Sequence, residues 1–513
     1  MTGESVTERR ATGFRLYPYV LAAAFALGTW LTNLSEEPTA LDVGLTFALA
    51  LGFAAVADGV LRLRLRDADR RSLWLVLLVV GFFGYGHGFE LARAGAGLQH
   101  RHFVPIWMAA LGATAFAIVL IGRRRLVGPV SRWVRNTSWL LVAVQPIWAG
   151  PGLWSCLLGS DGLTSRTEPT LSLAGAVPAE PSVARPDIYY IILDGYARAD
   201  VLRDLFRFDN GEFVQALRRR GFYVASEARS NYTQTRFSLT SSFSMDYLPE
   251  PNSGESADAY HERIRPLRKH GRAVERLREL GYRYRYVGSM YFPVDAAADE
   301  ELTPAGAGRT YLRAFLETTA LGPVEKAVGW GRGLQDPVAI TEHQLRSIAR
   351  PKGEPGPLYT FAHIACPHEP YLYDRHGPLR APVPASEATP HDYVEQLRYL
   401  NGRVLELIDG IERLSGPDAV ILLQADHGSD FLGIPPDPDE RQVFERTSIL
   451  SAYRCPPHVR DRLCPSITPV NSFRVLFAGL FGDDLPLLDD RSFYSSYDTP
   501  LDFVETPSAA SKH

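Results

Sequence analysis

Two apolar stretches of the sequence end in side chains that bind metal ions. The stretch "ILLQADHGSD" at 421–430 runs into Asp426 and His427, and "DIYYIILDGYAR" at 187–198 runs into Asp194. Carboxylates and imidazole rings are common metal ligands. Two carboxylates brought together without a lysine partner repel each other unless a cation lies between them. The pattern therefore predicts a metal site formed by Asp194, Asp426 and His427.

A third stretch contributes two histidines. "FAHIACPHEPY" at 361–371 has His363 at the end of an apolar run and His368 five positions later. The sequence around His363 suits either a functional side chain or a histidine buried in the core. Because imidazole nitrogens complement carboxylate oxygens around a metal, both histidines are candidates for the same site.

A hydroxyl nucleophile is expected in "SNYTQTRFSLTSSFSMDYL" at 230–248, a polar loop leading into a Ser/Thr-rich helical pattern. Thr235 falls at the expected start of the helix, where exposed backbone N–H groups favour an anion. A neighbouring metal would further stabilise its alkoxide. The alternative is a threonine that only caps the helix. Four other hydroxyl side chains compete with it: Thr233, Ser238, Thr240 and Ser241.

The elements that must position these residues predict an α/β domain after residue 187. Runs rich in β-branched and aromatic residues predict strands at 187–194, 221–226, 282–289, 358–365, 418–425 and 446–453. Helical patterns lie between them, at 210–220, 260–280, 341–348 and 392–414. Buried strands alternating with helices indicate a mostly parallel central sheet with helices on both faces. Sites on such sheets lie beyond the carboxyl ends of the strands, where Asp194, His363 and Asp426 fall.

The first 159 residues predict an N-terminal five-helix transmembrane bundle. Five apolar stretches are long enough, or nearly so, to cross a bilayer, at about 16–34, 41–61, 73–89, 103–122 and 137–159. Five in succession exceed what the core of a soluble domain uses. The segment 160–186 is rich in Ser, Thr, Pro, Ala and Gly and predicts a linker. The catalytic domain is then expected at 187–513.

Basic residues orient the predicted bundle. Arginines precede the first apolar stretch and fill the connections between the second and third and between the fourth and fifth stretches, whereas the alternate connections are poorer. Basic loops stay in the cytoplasm. We therefore expect a cytoplasmic N-terminus and an extracytoplasmic catalytic domain, on the periplasmic or cell-surface side of the membrane.

The overall charge bears on the partners of the protein, and the cysteines agree with the extracytoplasmic location. The chain of 513 residues has a formal net charge of −4, which gives no case for a nucleic-acid partner. Cys455 and Cys464 lie nine positions apart in a Pro-containing segment. Outside the cytoplasm such a pair is expected to form a disulfide, the alternative being two unpaired thiols.

Four features, taken in chain order, resemble the motifs of the alkaline phosphatase–sulfatase superfamily. They are Asp194 at a first strand end, the threonine of "NYTQT", "PHEPY" and "ADHGSD". The predicted spans ahead of the domain resemble the lipoteichoic acid synthase and phosphoethanolamine transferase branch. "TPVNSFRVLFAGLFG" at 468–482 is similar to a terminal segment of sulfatase-like membrane proteins. The resemblance covers most of 187–477 and implies an alkaline-phosphatase-like fold for the domain.

The resemblance implies a metal centre and a nucleophile. Asp194, Asp426, His427 and Thr235 would bind one or two divalent metal ions, zinc or manganese. Thr235 would also be the catalytic nucleophile that attacks phosphorus while it contacts the metal.

The same resemblance implies further catalytic and substrate-binding residues. His368 would bind the transferred group or protonate the leaving oxygen, and His363, Arg198 and Arg236 would help to bind substrate. Two departures from the family pattern matter. Asp194 stands where the lipid-A and teichoic-acid branches usually have Glu, and no C/S-x-P-x-R sulfatase motif lies near Thr235. The second departure disfavours sulfate-ester hydrolysis.

The expected function is a membrane-anchored, metal-dependent transfer of a phosphoryl-bearing group, of the phosphoglycerol or phosphoethanolamine type. The expected donor is a membrane lipid or lipid-linked molecule, and the expected acceptor is a cell-envelope glycan. One alternative is a sulfatase-like hydrolase that acts as a phosphatase, phosphodiesterase or sulfuric ester hydrolase. The other is a non-catalytic envelope binding protein with a relic site, against which the largely intact set of ligands argues.

Overall fold

The structure, a computed structural model, describes residues 15–32, 40–96, 98, 100–123, 126–148, 185–269, 271–289, 298–303, 310–324, 336–384 and 387–507. The chain forms two compact units. Unit 1 contains Met1–Leu163 and Gly308–Gln335, and unit 2 contains Thr164–Ala307 and Asp336–His513. Most of the predicted linker 160–186 and the end of the fifth predicted span lie outside the described residues.

Apolar helices make up the N-terminal part of unit 1. They are α1 (Tyr17–Thr32), α2 (Ala40–Arg62), α3 (Ala68–Phe83), α4 (Tyr85–Ala96), α5 (His100–Arg123) and α6 (Val127–Trp148). Leu41–Arg62 and His100–Gly122 are long and apolar enough to cross a membrane, and the bent pair α3–α4 makes a third candidate if it is one broken span. The described residues thus contain two or three candidate spans, and the predicted count of five is not confirmed.

A short helix from the later part of the chain also belongs to unit 1. This insertion helix (Thr310–Glu317) packs Phe315 against Phe83 at the end of α3, with ring centroids 5.7 Å apart. Just beyond it, the Ala320 N–H donates to the Phe82 carbonyl at 2.7 Å. The bond lies where α3 and α4 are bent by 51°. A broken helix leaves backbone groups open at this point, and the insertion pairs one of them.

The insertion changes the predicted domain organisation. The expected boundaries place all of 187–513 in the catalytic domain, whereas Gly308–Gln335 groups with unit 1. No pattern in this segment distinguishes its helix from the surface helices of an α/β domain, because the helix is only eight residues long.

Strands in unit 2 form one large sheet and two small ones. In chain order they are β1 (Ile188–Leu193), β2 (Tyr223–Val224), β3 (Arg283–Val287), β4 (Glu300–Glu301), β5 (Leu358–Ile364), β6 (Tyr371–Asp374), β7 (Gly377–Val383), β8 (Val420–Gln424), β9 (Ser451–Arg454), β10 (Phe493–Tyr494) and β11 (Val504–Glu505). The large sheet has seven strands in the order β2-β9-β8-β1-β5-β3-β4. β1 pairs in parallel with β5 and β8, and β9 runs antiparallel to β8 and β2. The sheet is therefore mixed and mostly parallel.

Helices cover both faces of this sheet. They are α7 (Ala199–Phe206), α8 (Gly211–Arg219), α9 (Thr235–Ser244), α10 (Ala257–Lys269), α11 (Arg272–Glu279), α12 (Pro337–Ile348), α13 (Pro390–Ser415), α14 (Glu440–Thr447), α15 (Pro457–Arg460) and α16 (Pro469–Leu480). Tyr190 of β1 contacts Phe243 of α9 and Phe473 of α16, with ring centroids 5.9 and 5.2 Å away. The adjacent Tyr189 points to the opposite face, where its hydroxyl bonds to that of Ser415 at the end of α13.

The predicted strand at 446–453 is wrong in its first half. Helix α14 runs to Thr447, and β9 begins only at Ser451. Asp439 starts the helix because its carboxylate accepts from the N–H groups of Arg441 and Gln442. The capping box favours a helix through Thr447, although the β-branched residues that follow favour a strand.

The predicted disulfide is also wrong, since Cys455 and Cys464 are free thiols. Cys455 is buried in the core at the end of β9. The Cys464 sulfur lies 3.7 Å from the Asp490 carboxylate instead. Nine positions of separation permit a bridge but do not bring the two side chains together.

Candidate active site

The central strands carry the acids and one histidine to the same edge of the sheet. In β1, Ile192 stands opposite His363 of β5 on one side and Gln424 of β8 on the other. Asp194 follows β1 directly, and Asp426 lies two residues beyond β8. As a result, Nε2 of His363 lies 3.4 Å from Asp194 Oδ2 and 4.0 Å from Asp426 Oδ2. The strand ends therefore meet as the sequence pattern indicates.

His427 adds a second imidazole to this group. Its Nε2 lies 3.4 Å from Asp194 Oδ1 and 3.4 Å from Asp426 Oδ2. Its Nδ1 lies 2.9 Å from the Gly428 carbonyl oxygen, to which only a protonated Nδ1 can donate. Burial lowers the pKa of His427, and the nearby Arg446 guanidinium lowers it further. Both effects favour the neutral ring, whose Nε2 lone pair then faces two carboxyl groups.

The buried group fits a divalent cation. Asp194, Asp426, His363 and His427 are each at most 2% exposed. Asp194 Oδ1 and Asp426 Oδ2 accept no hydrogen bond from the described residues, although buried carboxylate oxygens normally have a partner. Burial raises the pKa of Asp194, but the nearby rings of His368, His363 and His427 outweigh it and lower the pKa well below its ordinary value. An ionised buried acid with an open oxygen needs a positive partner, which a metal supplies.

Thr235 meets this cluster from the start of helix α9. Its Oγ1 lies 3.2 Å from Nε2 of His427. Gln234, at the N-cap position, makes no side-chain capping bond, so it leaves the first-turn N–H groups to an anion. The Ser238 hydroxyl donates to the Asp426 carbonyl at 2.7 Å and fixes the helix against the ligand-bearing turn. The nucleophile candidate and a metal-ligand candidate are thus in direct contact.

The competing hydroxyls are committed to backbone bonds. Each donates to a carbonyl oxygen, and each is at most 1% exposed: Thr233, Ser238, Thr240 and Ser241. Thr235 is only half-buried. Access and geometry therefore both favour Thr235 over the other four.

His368 lies at the more open side of the group. Its ring centroid is 6.0 Å from that of His427, and its side chain is 18% exposed. Its backbone N–H donates to the Asp194 carbonyl at 3.0 Å. Burial lowers the pKa of His368, but the charges of Asp194 and Glu369 raise it by more. The ring can therefore carry a proton next to the cluster.

The two arginines predicted to bind substrate differ in their surroundings. Arg198 forms a two-point ion pair with Asp200, and its Nη1 donates to the Ala228 carbonyl at 2.7 Å. These bonds fix the position of the Arg198 guanidinium, and its predicted contact with substrate stays a prediction. Arg236 lies in the first turn of α9, directly after Thr235.

Three residues near the group were not identified from the sequence. A Cβ on Gly428 would lie 2.0 Å from the Glu445 carbonyl oxygen, which explains the glycine of "DHG". The guanidinium of Arg446 donates to the carbonyl of Gly428 at 3.2 Å and to the hydroxyl of Tyr497 at 3.1 Å. Arg446 and Tyr497 lie outside every motif, and only the glycine beside a ligand pair signals a close backbone approach.

Comparison with known proteins gives matches only among solved structures. No protein-family model matches the chain, and no curated protein sequence matches it. The soluble domain of lipooligosaccharide phosphoethanolamine transferase A from Neisseria meningitidis is similar at 12% identity, with a TM-score of 0.38, over 61% of this chain and 93% of that one.

Two further structures show the same kind of similarity. The integral membrane form of the Neisseria transferase is 12% identical, with a TM-score of 0.37, over 91% of this chain and 96% of that one. Phosphonate monoester hydrolase of Agrobacterium radiobacter is 13% identical, with a TM-score of 0.37, over 60% of this chain and 80% of that one. The matched structures thus include phosphoethanolamine transferases, the branch that the predicted spans ahead of the domain resemble.

Proposed function

We propose that the chain is a membrane-anchored, metal-dependent transferase of a phosphoryl-bearing group, with Thr235 as its nucleophile. The observation that supports this most directly is the 3.2 Å contact between Thr235 Oγ1 and His427 Nε2 beside two buried carboxyl groups. A hydroxyl at a helix N-terminus, next to a cluster of metal ligands, suits attack on an anionic electrophile such as a phosphodiester.

The cluster would hold one divalent cation, zinc or manganese, through Asp194, Asp426, His427 and the Thr235 oxygen. When bound, the cation supplies positive charge that lowers the pKa of the Thr235 hydroxyl and offsets charge on the phosphoryl oxygens. His363 was predicted to bind substrate. We assign it to the metal instead, because its Nε2 faces both carboxyl groups from within the sheet.

The reaction would proceed in two displacements. Thr235 Oγ1 forms a bond to phosphorus, its proton passes to solvent, and the bond from phosphorus to the donor oxygen breaks. His368 donates a proton to that departing oxygen. An acceptor hydroxyl then gives its proton to His368 and bonds to phosphorus, the bond from phosphorus to Thr235 breaks, and the Thr235 oxygen takes a proton back from solvent. The first-turn N–H groups of α9 would hold the non-bridging oxygens in both steps.

Unit 1 would keep this site beside membrane-bound donors. We extend the two or three candidate spans to the five predicted apolar stretches, with a cytoplasmic N-terminus and an extracytoplasmic unit 2. The donor would be a membrane lipid or lipid-linked phosphodiester of the phosphoglycerol or phosphoethanolamine type. The acceptor would be a cell-envelope glycan, with hydrolysis as the outcome when water replaces it.

Two chromogenic esters would test the proposal on the full-length protein in detergent. We expect it to release nitrophenol from bis(p-nitrophenyl) phosphate but not from p-nitrophenyl sulfate, and to lose this activity with EDTA. Returning zinc or manganese should restore it. The mass of the Thr235 peptide after acid quench should increase by the nitrophenyl phosphoryl group. Preference for the sulfate ester would support the sulfatase alternative, and a purified protein without metal or turnover would support the relic site.

A further inference from the structure

Arg446 is a buried cation that joins three separate segments around the candidate site. It lies near the end of α14 and is 1% exposed. Its Nε donates to the Thr233 carbonyl at 2.9 Å, and its Nη1 donates to the Gly428 carbonyl at 3.2 Å. Its Nη2 donates to the Tyr497 hydroxyl at 3.1 Å. One planar group therefore connects the loop before α9, the turn after β8 and the C-terminal segment.

The two carbonyl contacts lie next to the reacting residues. Thr233 precedes Thr235 by two positions, and Gly428 directly follows His427. The guanidinium thus fixes the spacing between the nucleophile's loop and the turn that carries a metal-ligand candidate. A second bond reinforces this arrangement, because the Gly428 N–H donates to the Arg446 carbonyl at 2.7 Å. Since a guanidinium has donors in a rigid fork, a flexible ammonium cannot reproduce all three contacts.

Burial of the charge indicates more than packing. Removing a guanidinium from water is costly unless charged or polar partners offset the cost. The Asp430 carboxylate lies 3.6 Å from Nη1 but is itself 27% exposed. The other nearby acids are Asp426 and Asp194, which act on Arg446 through space. The positive charge is therefore placed near the two buried carboxyl groups of the candidate site.

We propose that Arg446 is a positioning residue for phosphoryl transfer, holding Thr235 Oγ1 at its working distance from His427. The Tyr497 hydroxyl accepts the third hydrogen bond of the Arg446 guanidinium and fixes the C-terminal segment beside the site. The inference rests on the proposed function and deepens it, because it states what keeps the nucleophile and the metal ligands in register.

Kinetics of Arg446→Lys and Arg446→Met would test this on the full-length protein, with bis(p-nitrophenyl) phosphate as the substrate. We expect kcat to fall by about 100-fold in each, as misplacement of a reacting group by about 1 Å commonly causes, while KM changes by less than about 3-fold. Metal content per chain should stay that of the wild type. Tyr497→Phe, which removes one of the three contacts, should lower kcat by about 5-fold.

Arg285→Lys and Arg285→Met provide matched controls. Arg285 is also fully buried and donates to two carbonyl oxygens, those of Arg350 and Pro351. It bonds to no residue of the site within the described part of the chain. We expect these variants to lose thermal stability at least as much as the Arg446 variants while each folded molecule keeps its kcat.

Two results would overturn the inference. One is an Arg446→Lys protein with a kcat within about 3-fold of the wild type. The other is an equal loss of kcat in folded Arg446 and Arg285 variants, which would mean a general effect of burial. If Arg446→Met fails to fold, the kcat values of Arg446→Lys and Tyr497→Phe test the positioning role instead. A wild-type protein without phosphodiesterase activity would contradict the proposed function itself, whereas an active wild type with fully active Arg446 variants would contradict only the positioning role.

Discussion

The hydroxyl oxygen of Thr235 lies 3.2 Å from Nε2 of His427, although 192 positions separate the two residues in the sequence. Helix α9 brings the hydroxyl, and the turn after β8 brings the ring. Between them, Ser238 of the helix bonds to the Asp426 carbonyl of the turn. The contact is therefore supported by backbone on both sides and does not depend on two flexible side chains.

The first prediction concerns Thr235 itself. Thr235→Ala should lower turnover of a phosphodiester by at least about 1,000-fold, because the bond to phosphorus can no longer form. Thr235→Ser should keep measurable turnover. Ser241→Ala, which removes a buried hydroxyl bonded to the Ser238 carbonyl, is the matched control and should keep its kcat. Unchanged turnover in Thr235→Ala, measured on protein with wild-type circular dichroism, would exclude Thr235 as the nucleophile.

A second prediction separates the two roles assigned to His363. If His363 binds the metal, His363→Ala should weaken metal affinity by about 10- to 100-fold, as should Asp426→Asn. If it binds only substrate, metal affinity should stay constant while KM rises. Metal content by mass spectrometry after dialysis against a graded chelator distinguishes these outcomes. His376→Ala, in the exposed turn between β6 and β7, should match the wild type.

Gly428 gives a third prediction, about folding. Gly428→Ala should destabilise unit 2 by about 3 kcal/mol, because the new Cβ would overlap the Glu445 carbonyl and force the turn away from α14. Gly402→Ala is the control, since a Cβ there meets no atom within 4 Å and the residue lies inside helix α13. The melting temperature of Gly402→Ala should equal or exceed that of the wild type, and the melting temperature of Gly428→Ala should be well below it. Equal melting temperatures for the two variants would contradict the close approach.

The fourth prediction is a pH dependence of stability outside the site. The Arg375 guanidinium donates to Glu395 at 2.6 Å and lowers the pKa of that carboxyl from its ordinary value of 4.5. A depressed folded-state pKa contributes stability above the unfolded-state pKa, and this contribution is lost as pH falls through the folded-state pKa. Glu395→Gln should therefore melt a few degrees below the wild type at pH 7. The difference should shrink as the pH falls below the ordinary pKa of 4.5 and be lost as it passes through the lowered folded-state pKa, and a difference that stays constant as the carboxyl protonates would contradict the ion pair.

The sequence alone was sufficient to predict which acidic residues follow the buried strands and lie close together. Asp194 and Asp426 follow strands that are apolar along their whole length, and the rule that parallel strands present their carboxyl ends at one edge brings the two acids together. The place of Thr235 at the start of a helix was predicted because helix starts have a recognisable composition.

Residues whose role depends on distant partners were not found in this way. Arg446 lies in a segment predicted as a strand, and its three side-chain hydrogen bonds join it to parts of the chain more than fifteen positions away. His363 was left between two interpretations, because a core histidine and a metal ligand have the same local sequence. Only the distance from its ring to the two carboxyl groups favours one of them.

The insertion of Gly308–Gln335 into unit 1 has a consequence for any attempt to separate the two parts of the protein. The polypeptide passes from one unit to the other three times, so no single cut separates intact unit 1 from intact unit 2. A fragment that starts at residue 187 would carry the apolar Phe315 away from the aromatic ring that covers it and would expose it to water. Recombination between related proteins meets the same obstacle, because a single crossover cannot exchange the whole of unit 1 or the whole of unit 2.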